Sequence, residues 1–267
     1  MFKNIREIDK ERANERNLLE AKIQDKYKFA CSKNKITNTD FLNMAERNIA
    51  EKFLKKNNIQ NYVFFGGSQE ESERNILLFF PDKFNLKMVE KNYNKILSVI
   101  RITLPNDLNY EHKNYLSGIM KLGVKREKVG DILVRENGAD IIVLNEIVEF
   151  LKINLPELTR FRNAKIDQIN IEQLEYKEKE FEEMKIVVTS MRLDNFVSEI
   201  ARCSRSRAID ILNEQRVFVN YELETKFSKK INISDVITIR GKGKFIVGEI
   251  DRKTRSDKLV INIKKYV

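Results

Sequence analysis

"RLDNFVSEIARCSRSRAIDILNEQRVFVN", residues 192–220, contains two helical periods followed by one strand period. Leu193, Phe196, Val197 and Ile200 recur at the spacing of one helix face, and Ala208, Ile209 and Leu212 repeat it after the break at "CSRSR". Val217 and Val219 then alternate as one face of a strand does. Ser204 stands where helical spacing resumes, which predicts an N-cap for the second helix. That assignment puts Arg205 and Arg207 in the first turn, where the helix dipole is positive and each cation is opposed by roughly 0.3–1 kcal/mol. An isolated helix would favour Asp or Glu at those places, so the two arginines ask for an anion.

The rest of the C-terminal third continues the strand pattern. "VITIR" and "KFIVGEI" predict a hairpin around "GKGK", and "KLVINIKKYV" alternates again. The order is two helices, then a small antiparallel sheet. From Lys185 to Val267 there are 18 Lys and Arg against 10 Asp and Glu, whereas residues 1–184 carry 32 against 30. A basic module joined to a near-neutral body suits a polyanion, nucleic acid first and an anionic membrane surface second. The candidate contacts are Arg192, Ser204, Arg205, Ser206, Arg207, Arg216, Lys229, Lys230, Lys242 and Lys244. A helix N-terminus offers free N–H groups to phosphate, and arginines there add forked donors. The alternative is internal: the arginines lie over apolar surface or pair with Asp210 and Glu214. On the phosphate reading, Arg205→Glu with Arg207→Glu abolishes RNA binding and leaves thermal stability nearly unchanged.

Upstream, residues 3–34 predict a polar helix with sparse apolar positions at Ile5, Ile8, Leu18, Leu19 and Ile23. A second helix is expected to start at Thr39 or Asp40, with Leu42, Ala45, Ile49 and Phe53 on one face. "YVFFGG" and "RNILLFFPD" predict two strands joined by a turn at Gly66, Gly67 and Ser68, closed by Pro81. A new unit is expected near Lys83. It holds a strand in "KILSVIRITLP", a helix ending in a turn at Gly123 and a second amphipathic helical start in "KREKVGDILV". A strand in "ADIIVLN" and a helix limited by Pro156 complete it. The acidic stretch "NIEQLEYKEKEFEEMK" reads as a strand or helix edge running into a linker, and the switch to basic composition at Met184–Lys185 as a domain boundary. The expected architecture is α+β in three small domains. Residues 1–82 and 83–183 form two α/β-type domains, and 184–267 form the module of two helices and a small sheet.

Composition narrows the function. With 34% charged and 42% hydrophobic residues the chain is globular. No apolar run approaches the ~20 residues of a membrane helix, and "MFKNIREIDKERANER" has no signal-peptide core. Two cysteines, Cys31 and Cys203, lack ligand spacing, and a single histidine leaves no Cys/His metal set. No cofactor is expected, and the cytoplasm is the expected compartment.

The quoted stretch resembles the S4 RNA-binding domain through Arg192-Leu193-Asp194, Ser204-Arg205-Ser206 and Val217-Phe218-Val219-Asn220. That family usually has Gly before the first strand, where this chain has Gln215. A φ > 0 there would carry a cost. The resemblance widens to the YlmH family of bacterial S4-domain proteins. It does so through "TDFLN", "VFFGG…ERNILLFFPD" and above all "HKNYLSGIMKLGVKREKVGDILV". His112, Tyr115, Leu116, Gly118, Leu122, Gly123, Val124, Lys125, Arg126, Glu127, Lys128, Gly130, Asp131 and Ile132 match that family's central pattern. Lys113-Asn114 and Met44-Ala45-Glu46 depart from it. The resemblance implies a ribosome-associated RNA-binding protein of quality control. It would act on the large subunit that keeps a peptidyl-tRNA after a stalled ribosome splits, contact ribosomal RNA and tRNA, and be a monomer off the ribosome.

Within the central block, Lys125, Arg126 and Lys128 are candidates for a second RNA contact, with a structural turn as the alternative. His112 has no partner nucleophile, and Gly66-Gly67 lacks the Lys-Ser/Thr and helix of a phosphate loop. An RNA-modifying enzyme of the S4-linked pseudouridine synthase type is the rival reading, because its catalytic Asp lies in an Arg-Leu-Asp motif. Here that triplet opens the S4 helix, and residues 1–184 hold no second copy.

Overall fold

The computed structural model describes residues 5–67, 72–105, 108–174 and 181–266. It divides into two compact units, Met1–Tyr176 and Lys177–Val267.

The first unit opens with α1 (Ile5–Lys33), β1 (Thr37–Asn38), α2 (Met44–Lys56), β2 (Tyr62–Phe65) and β3 (Ile76–Phe79). The three strands form an antiparallel sheet in the order β1-β3-β2. The start of α2 lies later than expected. Asn43 caps it by accepting from the amides of Ala45 and Glu46, and Glu46 bonds back to the Asn43 amide. Ala50 and Leu54 are its buried positions, Phe53 packs half-buried against the same core as expected, and Ala45 and Ile49 are only partly covered. Ser68 of the expected turn lies outside the described residues.

The unit continues with α3 (Leu86–Glu90), α4 (Tyr93–Ile96), β4 (Leu97–Thr103) and α5 (His112–Lys121). After these come β5 (Val129–Arg135), β6 (Gly138–Leu144), α6 (Val148–Asn154) and β7 (Lys165–Ile169). The strands pair antiparallel in the order β5-β6-β4-β7. "VGDILVR" is therefore a strand and not a helical start. It pairs with β6 across a short turn, and Val129 and Ile132 join the core under α5. The expected boundary at residue 82 runs through shared packing. Phe41, Phe65, Ile76 and Leu78 from before it share one core with Tyr93, Leu97, Val99 and Ile142 from after it. Phe65 and Tyr93 stack at 3.7 Å between ring centroids. Two segments that bury their apolar faces on each other make one compact unit.

The second unit contains β8 (Phe181–Val188), α7 (Leu193–Ala201), α8 (Arg205–Asn213), β9 (Val217–Val219) and β10 (Glu222–Leu223). It ends with β11 (Val236–Ile239), β12 (Gly243–Lys253) and β13 (Leu259–Tyr266). The six strands form one antiparallel sheet in the order β10-β9-β11-β12-β13-β8. Both helices pack on one face. Leu193, Phe196, Val197, Ile200, Ala208, Ile211 and Leu212 meet Ile186, Val217, Val219, Ile237, Phe245 and Ile261. On α8 it is Ile211, not Ile209, that is fully turned into this core.

The composition switch at Met184–Lys185 is not a boundary, because β8 runs straight across it. The acidic residues before the switch belong to the basic module. Glu182 and Glu183 lie opposite Lys265 and Lys264 on β13, with Glu182 and Lys265 2.8 Å apart. Opposite charges on neighbouring strands favour this pairing.

Candidate nucleic-acid interface

The site begins at the N-terminus of α8. Ser204 is the cap, and its Oγ accepts from the Arg207 amide at 3.3 Å and lies 2.9 Å from Ser206 Oγ. Arg205 and Arg207 occupy the first turn as the spacing predicts. Arg205 reaches back to α7, where its Nε donates to Asp194 Oδ2 at 2.9 Å. Arg192 takes the same carboxylate in a fork, with Nε to Oδ1 at 3.1 Å and Nη2 to Oδ2 at 3.0 Å. The Asp194 side chain is 0% exposed, while those of Arg205 and Arg192 are 56% and 37% exposed. Burial acts to raise the Asp194 pKa, but the hydrogen bonds and charges of the two arginines outweigh it and hold the carboxyl below its usual range.

A second group follows α8 to its other end. Arg207 Nη1 lies 2.9 Å from Glu214 Oε1 and 3.7 Å from Asp210 Oδ2. Arg216 Nη1 donates to the other Glu214 oxygen at 3.3 Å, and its Nη2 donates to the Arg240 carbonyl at 2.8 Å. The bond from Arg216 and the proximity of Arg207 keep Glu214 ionised below the usual range. The internal pairing of Arg207 is thus the arrangement that forms, and Arg205 has an internal partner too. The adverse first-turn position is neutralised within the fold. Both guanidinium groups still keep about half of their surface in solvent.

Segment 224–231 is lashed to the start of α7. The Leu193 amide donates to the Lys229 carbonyl, the Asp194 amide to the Phe227 carbonyl, and the Ile231 amide to the Met191 carbonyl. An isolated bridge joins Arg192 to Lys230. These bonds set Lys229, Lys230 and Phe227 beside Arg192, whose guanidinium lies 5.6 Å above the Phe227 ring. Phe227 is 45% exposed, an aromatic contact that the sequence pattern did not single out. Lys242 sits exposed on the turn whose carbonyl Arg216 holds. Lys244 is not with this group. Its ammonium lies over the rings of Tyr221 and Tyr266 on the opposite face of the sheet.

The expected second contact in the first unit is mostly engaged internally. Arg126 turns inward, and its Nη1 donates to the carbonyls of Val129 and Gly130. Burial and the nearby Arg74 charge bring its pKa down to about 10. Lys128 Nζ sits 2.6 Å from both Asp40 and Glu146. Only Lys125 of the three is exposed without an ion pair among the described residues. His112 lies near Arg126, and burial followed by that charge lowers its pKa. An adjoining cleft of about 690 Å³ is lined by Lys22, Lys26 and Lys128 but also by Asp25, Asp40 and Glu127, so it offers a polyanion no net attraction. Among the described residues no group of His, Cys, Asp and Glu could hold a metal, and no helix is long and apolar enough to cross a membrane.

Residues 82–178 match the family model described as "Putative RNA-binding domain in YlmH". The "Ribosome-associated protein quality control protein P2" of Bacillus subtilis is 25% identical over 228 residues, spanning 82% of this chain and 83% of that protein. The chain is thus similar to YlmH proteins through residues 82–178 and through the B. subtilis relative. A solved structure, "Cell division protein ylmH from Streptococcus pneumoniae", is 19% identical. It covers 66% of this chain and 99% of that one, with a TM-score of 0.45.

The YlmH model covers the β5-β6-β4-β7 sheet with α5 and α6, so it contains the His112–Ile132 block that carries the sequence resemblance. The arginine–aspartate group on α7 and α8 lies beyond it, in the part of the chain that the B. subtilis relative's wider alignment helps to span.

Proposed function

We propose that this chain is a member of the YlmH family and a non-catalytic RNA-binding factor that associates with the large ribosomal subunit and tRNA. Its role is in quality control of stalled peptidyl-tRNA complexes in the cytoplasm. One observation carries the reading: a buried aspartate holds two half-exposed guanidinium groups in fixed positions beside an exposed ring and two lysines. Such arginines arrive at a phosphate with part of their ordering cost already met, and their outward N–H groups remain donors. The relative's name and the RNA-binding description of the family model support the same assignment.

The pseudouridine synthase reading requires Asp194 to reach a base. Its carboxylate is fully buried and both oxygens accept from arginine, which argues against that role.

Filter binding of ribosomal RNA and tRNA over a salt series tests the proposal. Neutralising Arg207, Lys230 and Lys242 to Gln is expected to flatten the salt dependence by about 1 per contacting charge. Large-subunit co-sedimentation is expected to fall with it. An unchanged slope overturns the proposal, and a stoichiometric new base modification in RNA incubated with the protein would restore the enzyme reading.

A further inference from the structure

We propose that the open face of the six-stranded sheet is a stacking platform for unpaired RNA, distinct from the helix edge. Strand alternation turns Ile237, Ile239, Phe245, Ile261 and Ile263 towards the helices. It leaves Phe218, Thr238, Lys244, Tyr266 and Phe181 on the opposite face. These residues are in register across the sheet. Leu223 pairs with Phe218, Phe218 with Thr238, and Thr238 with Lys244. The Lys244 ammonium lies 4.7 Å from the Tyr266 ring, and Tyr266 pairs with Phe181 at 5.0 Å between centroids. One row therefore crosses all six strands.

The outer face of an antiparallel sheet is ordinarily polar. This one carries rings at Phe181, Phe218 and Tyr266, with Tyr221 at the adjoining turn. Phe181 and Val187 are each 39% exposed. Cations sit on these rings: Arg240 lies 4.9 Å above Phe218, and Lys244 lies 5.3 Å from Tyr221.

Aromatic and basic groups in one row select the occupant. A base stacks on a ring or on a guanidinium plane, and a lysine on a flexible stem can leave a ring for a phosphate. A purely apolar partner gains nothing from Arg240 and Lys244, whereas the excess of 18 basic over 10 acidic residues in this third of the chain complements a polyanion. Phe218 and Tyr266 stand three strand steps apart, roughly 14 Å at about 4.8 Å per step. An extended single strand can use both.

The test uses the full chain and a fluorescent 12-nucleotide uridine oligomer, which cannot pair with itself. Phe218→Leu with Tyr266→Leu keeps an apolar side chain at each place and removes the rings. It is expected to weaken the oligomer by at least about tenfold, while the salt dependence of ribosomal RNA binding stays that of the wild type. A 5-iodouridine oligomer is expected to photocrosslink to peptides containing Phe218, Tyr221 or Tyr266 of the unmodified protein. Equal oligomer affinity in variant and wild type overturns the proposal, as do crosslinks confined to residues 192–207. An oligomer that fails to bind, with subunit association still sensitive to the two Leu substitutions, assigns the face to a protein partner instead.

Discussion

Arg205 opens α8 yet spends its Nε on Asp194, eleven residues earlier on α7, at 2.9 Å. The bond explains how a cation is tolerated at the positive end of a helix: the compensating anion is internal and fully buried. It also joins α7 to α8 across the connection that runs through Arg202 and Cys203. The same aspartate fixes Arg192, so one carboxylate orients both arginines of the edge.

The two first-turn arginines should therefore differ. Arg205→Ala removes a partner from a buried carboxylate, whereas Arg207→Ala breaks an exposed pair. Urea unfolding is expected to show a clear loss for Arg205→Ala and none outside error for Arg207→Ala. Asp194→Ala, which removes the whole clasp, is expected to cost about 1–3 kcal/mol, below the range for fully buried pairs because both arginines reach water. Arg205→Glu would set a second carboxylate against Asp194. The expectation that exchanging both arginines for Glu spares stability is thereby corrected.

Asp194 also sets an acid limit. Its folded pKa lies below the ordinary carboxylate value, because the arginine bonds overcome burial. The unfolded chain thus takes up a proton first as pH falls. The contribution is fully present above about pH 4 and is lost as pH drops through the lower, folded value. Urea midpoints between pH 2.5 and 6 should fall more steeply for the wild type than for Asp194→Asn. Parallel curves would show that other carboxylates carry the acid response.

Periodicity made the C-terminal unit legible. Leu193, Phe196, Val197 and Ile200 are all buried on one helix face, and Ser204 is the cap. Pairing through space was not legible, because Asp194 reads as one more polar residue until α7 and α8 pack. The same blindness affected Arg126 and Lys128, whose charges look available until Val129, Gly130, Asp40 and Glu146 surround them. "VGDILVR" reads as a helical start although it is a strand, because an apolar run of strand length carries the same local signal as a buried helix segment. Composition marked a boundary at Met184 that cross-strand Glu–Lys pairs override.

His112 provides a clean probe of the first unit, since it is the one histidine of the chain. Burial and then Arg126 lower its folded pKa below the ordinary 6.5. As pH falls through 6.5 the unfolded state binds the proton and the native state resists it, so stability declines until the folded pKa is reached and then levels off. NMR titration of the single imidazole should give a midpoint below 6.5, and His112→Gln should flatten this part of the pH profile. A midpoint at or above 6.5 would remove both expectations.

Gln215 is the position where backbone conformation and residue type disagree. Its φ is +57°, and it closes α8 in a Schellman arrangement, with its amide donating to the Leu212 carbonyl and the Arg216 amide to that of Ile211. A non-glycine residue in this left-handed region carries a steric cost of roughly 1–2 kcal/mol, and glycine gives part of that back through the freedom it adds to the unfolded chain. Gln215→Gly is therefore expected to stabilise the second unit by about 0.5–1 kcal/mol. A higher urea midpoint at unchanged slope would show it. Gln215→Val should move the midpoint the other way, since a β-branched side chain tolerates this φ least. RNA affinity should stay unchanged in Gln215→Gly, because the turn supports Arg216 through its backbone and the Gln215 side chain has no place among the proposed contacts. A lower midpoint for the glycine variant would mean that the Gln215 side chain contributes more than the strain it imposes.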